Sequence, residues 1–268
     1  MKKIGVCGCG NMGGALVTGM VARGKFLPAN ICIFDVKSQK ARRLAKSTRV
    51  KVARDPEEIA KETDFILLAV KPQDFKELAG ELKEHLRRRH LVMSIMAGLT
   101  VKALKHELGA QVRVSRIMPN MPALIGEGVS AIYYTGGIRA GAKQVIRKVF
   151  RSIGQTLDVR EDELNAVTAL SGSGPAYVFH FATALLEAGR RAGLSRDKAK
   201  RLVYGTLSGS AKLLESVKED PEELTRRVAS KGGTTEAALR VLNKENVWAS
   251  LTRAVLAAER RARELSGD

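Results

Sequence analysis

The stretch that decides the fold stands near the start of the chain: Ile4-Gly5-Val6-Cys7-Gly8-Cys9-Gly10-Asn11-Met12-Gly13. A short apolar run, Ile4–Cys7, leads into glycines at 8, 10 and 13, and a helical pattern, Met12–Arg23, follows at once. Glycines at this spacing say little alone; between a strand and a helix they predict a dinucleotide site. Gly8 permits the tight turn, Gly10 lets the backbone approach a pyrophosphate, and Gly13 lets the helix pack closely on the strand. The amides of the first helical turn, from Asn11 and Met12 onward, then face the phosphates. Cys7 and Cys9 flank Gly8 and are expected to border the same cofactor. The competing reading is a glycine-rich βα turn that holds no ligand.

The pattern continues outward from this turn. Ile31–Phe34 reads as a second strand and Ser38–Ala45 as a helix. Asp55-Pro56-Glu57-Glu58 has the grammar of a helix start: a capping carboxylate, a first-turn proline and acids facing the dipole. Phe65–Val70 is a continuous apolar run, as expected of a parallel strand buried on both faces. Leu91–Ile95 and Val112–Ile117 supply further strands. Strands alternating with helices predict an α/β, doubly wound Rossmann domain over residues 1–160.

From residue 161 to 268 the segments are longer, helical and free of β-rich runs. Pro175 suits the first turn of a helix, with Ser173 as its cap. The helix that follows, Ala176–Arg191, is apolar almost all round until its last turn. Such a helix must be covered on every side, which one small helical domain can hardly do. A helical domain that forms a dimer is therefore expected. Asp220-Pro221-Glu222-Glu223 repeats the helix-start grammar, and Val247–Leu265 forms the last helix.

Composition narrows the function. The 268 residues are 44% hydrophobic, an ordinary globular value, and no apolar run approaches the roughly 20 residues that span a bilayer. With no signal-like N-terminus, a cytoplasmic protein with no membrane partner is the plain expectation. Three cysteines and four scattered histidines offer no ligand set, so no metal is expected. The formal charge of +18, with runs at Arg87-Arg88-Arg89-His90 and Arg260-Arg261-Ala262-Arg263, raises the question of nucleic acid. Only 4% of residues are aromatic, and nothing interleaves aromatic with basic side chains. Solvated helix faces, and no nucleic-acid partner, are expected instead.

Asp35 stands at the end of the second strand, where a carboxylate accepts both ribose hydroxyls of the adenosine. It favours NADH, while Lys37, Lys40, Arg42 and Arg43 could hold the extra phosphate of NADPH if Asp35 turned away. The cofactor is thus NADH or NADPH, with NADH favoured.

Five signatures occur in order: the glycine turn with Asn11-Met12-Gly13; Leu68-Ala69-Val70-Lys71-Pro72-Gln73; Met118-Pro119-Asn120-Met121-Pro122, expected in the loop between domains; Ala166–Tyr177, containing Ser171-Gly172-Ser173-Gly174-Pro175; and Gly232-Gly233-Thr234-Thr235. In these the chain resembles the pyrroline-5-carboxylate reductases along nearly its whole length. The resemblance implies hydride transfer from NAD(P)H to the imine of Δ1-pyrroline-5-carboxylate, giving L-proline in the last step of proline biosynthesis. It implies that Ala69, Val70, Lys71 and Pro72 border the nicotinamide half of the cofactor and that Ala97, at the next strand end, contributes. It places the substrate at Ser230, Gly232, Gly233, Thr234 and Thr235, with the Thr235 hydroxyl facing the ring nitrogen and Glu161 near enough to stabilise the iminium. It also implies dimers that associate further, in a decamer-like ring.

Each assignment has a plainer rival. Thr234 and Thr235 could be helix caps; Glu161, beside Asp162 and Glu163, could sit in a solvated loop; Lys71 could simply be held extended by Pro72. The family usually carries proline where this chain has Lys231, which loosens the loop and leaves open another cyclic imine acid as substrate. A β-hydroxyacid dehydrogenase would share the glycine turn but is not expected to carry Ser171–Tyr177 and Gly232–Thr235 together. A nucleotide-binding paralogue without turnover is the remaining alternative.

Overall fold

The computed structural model describes residues 2–217 and 219–267. Its first part alternates as the apolar periodicity predicts: β1 (Ile4–Cys7), α1 (Asn11–Ala22), β2 (Ile31–Phe34), α2 (Ser38–Thr48), β3 (Lys51–Val52), α3 (Pro56–Glu62), β4 (Phe65–Leu68), α4 (Phe75–Lys83), β5 (Leu91–Ser94), α5 (Val101–Leu108) and β6 (Arg113–Met118). Then come β7 (Gly128–Tyr134), α6 (Ala140–Phe150) and β8 (Gly154–Asp158). One sheet of order β3-β2-β1-β4-β5-β6-β7-β8 holds them all. Every pairing is parallel except β6 with β7. The strand order reverses at β1 and β4, the switch point beside which an open α/β sheet binds ligands. Two apolar layers enclose the sheet, one around Leu16, Val17, Met20 and Phe150, the other around Ile59, Leu82, Leu104 and Leu108.

Local chemistry explains several boundaries. The Asp55 side chain accepts from the Glu58 amide at 2.7 Å, and Pro56 opens α3. β4 ends two residues before the apolar run does. The Ala69 amide still bonds the Cys7 carbonyl at 2.8 Å, but Lys71, held extended at φ −74° and ψ 148° ahead of Pro72, turns the chain away. β7 and β8 are not foreseen by the apolar-run reading, because serine, glycine, threonine and glutamine interrupt their patterns. This corrects the placing of Met118–Pro122: it is no interdomain loop but the link between β6 and β7 within one sheet.

The helical part comprises α7 (Leu164–Val167), α8 (Gly174–Arg191), α9 (Arg196–Ser216), α10 (Pro221–Val228), α11 (Thr234–Lys244) and α12 (Val247–Ser266). Between α7 and α8 the helix widens into a π turn at Thr168–Gly172, with the Ser173 amide bonding the Thr168 carbonyl at 2.9 Å. Ser173 is therefore not an N-cap; it lies inside a nearly continuous helix that is widened just ahead of Pro175, which lacks an amide to donate. By contacts one unit runs to Ser173 and takes back the chain from Ala258, while the strand pattern sets the expected boundary at 160/161. The earlier boundary marks the end of the strand pattern; the later one marks where the segment 161–173 stops packing on the sheet.

The second unit, Gly174–Ala257, is almost coreless as a single chain. Among its described residues only Ala199 and Val203 are buried, while Phe179 and Trp248 are 56% and 75% exposed. No helix among the described residues is long and apolar enough to cross a membrane.

Candidate active site

The three glycines of the β1–α1 turn separate by what surrounds them. Gly8 adopts φ +105°, a left-handed conformation that favours glycine, and a Cβ there would lie 2.5 Å from the Ala69 carbonyl oxygen. A Cβ on Gly13 would come within 2.0 Å of the Gly8 carbonyl oxygen. Gly10 differs: a Cβ there would meet nothing within 4 Å. Two glycines are required by the protein's own packing, and the third faces empty space. At Gly10 the α1 helix begins with no side-chain cap and no acid in its first turn. Bare N-terminal amides beside an open approach suit a pyrophosphate.

A crevice of roughly 590 Å³ opens from this turn. Gly8, Gly10, Asp35, Lys37, Ala69, Val70 and Lys71 line it, as the sequence reading places them. Asp35 is fixed at its edge by two backbone donors: the Cys9 amide gives to Oδ2 at 2.7 Å and the Lys37 amide to Oδ1 at 2.8 Å. The remaining expected cofactor residues lie behind or beside this surface. Cys7 is fully buried beneath it. Cys9 contributes its amide to Asp35, and its thiol is pushed up to about 12 by burial and by the Asp35 charge. Asn11, Met12 and Gly13 form the first turn of α1, and Pro72 starts a short 3-10 turn. Ala97 is exposed in the β5–α5 loop, on the same carboxyl edge of the sheet, where the Ile95 amide bonds the Leu68 carbonyl at 3.2 Å. Phe34, Val36, Gln73, Asp74, Glu77, Leu78 and Glu81 also line the crevice and were not expected there, and Lys40 joins Lys37. Asp74, just ahead of α4, and Glu77 and Glu81 within it recur at helical spacing, a signal that could have found them.

Burial also raises the Cys7 thiol, and lifts Cys32 to about 11, so all three cysteines are poor nucleophiles. Among the described residues no cluster of His, Cys, Asp and Glu is placed to hold a metal ion.

In the second unit the segment Ser230–Gly233 closes a tight turn. The Gly233 amide bonds the Ser230 carbonyl at 3.0 Å, and Gly232 adopts φ +72°. Glu236 reaches back to the Gly232 amide. α11 then starts at Thr234, and neither threonine side chain caps it. The capping alternative for Thr234 and Thr235 is thus set aside, and both hydroxyls remain for other work. Thr234 is exposed and Thr235 half-buried.

Glu161 is not in a solvated loop. Its Oε1 accepts from the Val101 amide at 2.7 Å and from Arg116 Nη1 at 2.9 Å. Arg116, which sequence reasoning missed, is buried in the middle of β6. Asn120 also went unremarked as a single residue: it accepts from the Val129 amide and donates to Ser171 Oγ, joining two of the signatures.

Comparison with known proteins agrees with these features. Residues 161–265 match the family described as pyrroline-5-carboxylate reductase dimerisation, and residues 3–98 match that of coenzyme F420-dependent NADP oxidoreductases. The pyrroline-5-carboxylate reductase of Arabidopsis thaliana is 37% identical over 264 residues, covering 98% of this chain and 95% of the relative. The solved pyrroline-5-carboxylate reductase of Coxiella burnetii superposes with a TM-score of 0.93 at 33% identity, covering 99% and 98% of the two chains. The Plasmodium falciparum pyrroline carboxylate reductase, solved with NADP bound, gives 0.88 at 29% identity, with 99% and 98% covered.

Proposed function

The chain belongs to the pyrroline-5-carboxylate reductase family, and from that premise we propose how its own residues divide the work and which cofactor they favour. The reaction is NAD(P)H-dependent reduction of the C=N bond of Δ1-pyrroline-5-carboxylate to L-proline, the last step of proline biosynthesis. The observation that carries the assignment is the crevice, with bare α1 amides, open space over Gly10 and a fixed Asp35 at its edge.

In this reading the α1 amides hold the pyrophosphate and Asp35 accepts the adenosine ribose hydroxyls. Two backbone donors keep the Asp35 carboxylate in place, so a 2′-phosphate would meet a fixed negative charge. Asp74, Glu77 and Glu81 add to that repulsion from the α4 side, and Lys37 and Lys40 oppose it. The balance favours NADH. Ala69, Val70, Lys71 and Ala97 are assigned to the nicotinamide half, at the carboxyl edge of the strands. When bound, the nicotinamide supplies the hydride to the imine carbon.

Substrate recognition is assigned to the Ser230–Thr235 loop. The Thr234 and Thr235 amides open an 11-residue helix without a side-chain cap, which suits the substrate carboxylate. Lys231 adds a positive charge beside it. The Thr235 hydroxyl is assigned to the ring nitrogen, where it holds the imine oriented for hydride attack. The chain self-associates through its C-terminal region; a ring of dimers is the proposed larger assembly, on the family resemblance, and the cytoplasm the proposed compartment.

Steady-state kinetics of Thr235→Ala and Thr235→Ser test the substrate assignment. The alanine variant should lose about 10²-fold in kcat/KM for the imine, the scale of a misoriented reacting group, with KM for NADH unchanged. Serine should restore most of it. An alanine variant with wild-type kinetics would remove Thr235 from the chemistry.

A further inference from the structure

The Arg116–Glu161 pair stands at a decisive place in the first unit. α5 has no acid of its own in its first turn; Thr100 caps it by accepting from the Ala103 amide at 3.2 Å. The missing negative charge comes from 60 residues downstream, where Glu161 Oε1 receives the Val101 amide at 2.7 Å. That placement puts a carboxylate on the positive pole of a helix. The same oxygen binds Arg116 Nη1 at 2.9 Å, and the Arg116 side chain is only 8% exposed. A guanidinium buried to that degree needs its counter-charge, so each partner holds the other in position.

What the pair holds is the loop between β5 and α5, which contains Ala97 and Gly98. The loop is tied at three points. At its start the Ile95 amide bonds the Leu68 carbonyl at 3.2 Å. In its middle Gly98, at φ +76°, packs close to Leu265: a Cβ there would stand 3.3 Å from the Leu265 carbonyl oxygen. At its end stands the Val101–Glu161–Arg116 junction. Register places Arg116 directly beside Ser94, the last residue of β5, so the pair braces the strand end as well as the helix start.

We infer that Arg116 and Glu161 are positioning residues of the reductase: they set the β5–α5 loop against the cofactor, and Glu161 does not contact the substrate. Resting on the reading that Ala97 borders the nicotinamide half, the inference replaces the expectation that Glu161 stabilises the iminium. A carboxylate already neutralised by Arg116 and by a helix terminus has little charge left to offer a cation.

The test is calorimetric NADH binding together with steady-state kinetics on Glu161→Ala, Glu161→Gln, Arg116→Met and the double variant Arg116→Met/Glu161→Ala, each checked for folding by circular dichroism. Positioning predicts that Glu161→Ala and Arg116→Met weaken NADH binding by about tenfold or more. It predicts an unchanged pH profile of kcat, since no proton-handling group is removed, while a fall in kcat accompanies the lost affinity as far as the nicotinamide is misplaced. Glu161→Gln keeps an acceptor for the Val101 amide and should recover much of the affinity. The double variant should be no worse than the poorer single, as expected of residues that act as a unit. Unchanged NADH affinity in Glu161→Ala, whether kcat falls or not, overturns the inference. Should Arg116→Met fail to fold, the Glu161→Ala and Glu161→Gln pair decides alone. A wild-type protein that binds NADH but reduces no pyrroline-5-carboxylate would sink the proposed function, while the affinity comparison would still judge the positioning role.

Discussion

The two units of this chain solve the burial problem in different ways. The nucleotide unit closes two apolar layers around its own sheet, and Asp35 and the Asp55 cap find their partners within the unit. The helical unit has helices of proper length and capping but leaves Phe179, Phe181 and Trp248 about half or more exposed. The contrast teaches that one part is specified by its own sequence alone, while the other is specified jointly with a second copy. Apolar side chains of this size are worth about 1.5–3 kcal/mol each when covered, which is ample to drive association.

The harshest way to break the contrast is Phe179→Glu combined with Phe181→Glu. Self-association should weaken by well over 100-fold, since about 1.4 kcal/mol already amounts to a factor of ten. Light scattering should show monomers, with imine reduction lost and NADH binding kept. A variant that remains associated would show that these side chains lie outside the subunit contact.

Within the nucleotide unit, two glycines of one motif should respond in opposite ways. Gly13→Ala places a Cβ 2.0 Å from the Gly8 carbonyl oxygen and should lower the thermal midpoint sharply. Gly10→Ala fills only open space at an ordinary φ of −70°, so the fold should be untouched. It should nevertheless raise KM for NADH by about tenfold, by keeping the pyrophosphate from the backbone. Equal thermal losses in both variants would contradict the assignment of the open space to a ligand.

Smaller again is the cofactor switch. Asp35→Asn removes the fixed charge at the edge of the crevice, and the NADPH to NADH ratio of kcat/KM should rise by about tenfold. No change would mean that Lys37 and Lys40 already dominate that edge.

The smallest effect concerns pH. His90 is fully buried in the nucleotide unit, accepting from the Arg87 amide at 2.8 Å and contacting the Ala60 carbonyl at 2.9 Å through Nε2. Burial lowers its pKa below the ordinary 6.5, opposed by the bond to Ala60 and assisted by Arg89. The neutral form is the one the fold favours. Its contribution is therefore full above about pH 6.5 and is lost as pH falls from there towards the depressed folded value. Thermal midpoints measured between pH 8 and 5 should show that loss. His90→Gln, which keeps a donor and an acceptor, should flatten it.

Much of the nucleotide unit was legible because its signals are local. Ile31–Phe34 and the Asp55 cap follow directly from runs of apolar residues and from capping chemistry. β7 and β8 were not, because Ser130, Gly154 and Thr156 break the apolar pattern of these strands. The basic run Arg87–His90 was readable as charge but not as structure. Arg89 donates to the carbonyls of Ala60 and Lys61 at the end of α3, and Arg87 to those of Glu84 and Leu86 beyond α4. Those side chains satisfy helix ends that no nearby sequence signal marks. Likewise the Arg116–Glu161 pair joins residues 45 positions apart, and no local pattern announces it.

The most direct test is the initial rate of NADH and, separately, NADPH oxidation by the purified wild-type protein with Δ1-pyrroline-5-carboxylate. Turnover with both cofactors and a higher kcat/KM for NADH is the predicted result. Binding of either cofactor without turnover of this imine would contradict the central claim, and a clear preference for NADPH would contradict the role given to Asp35.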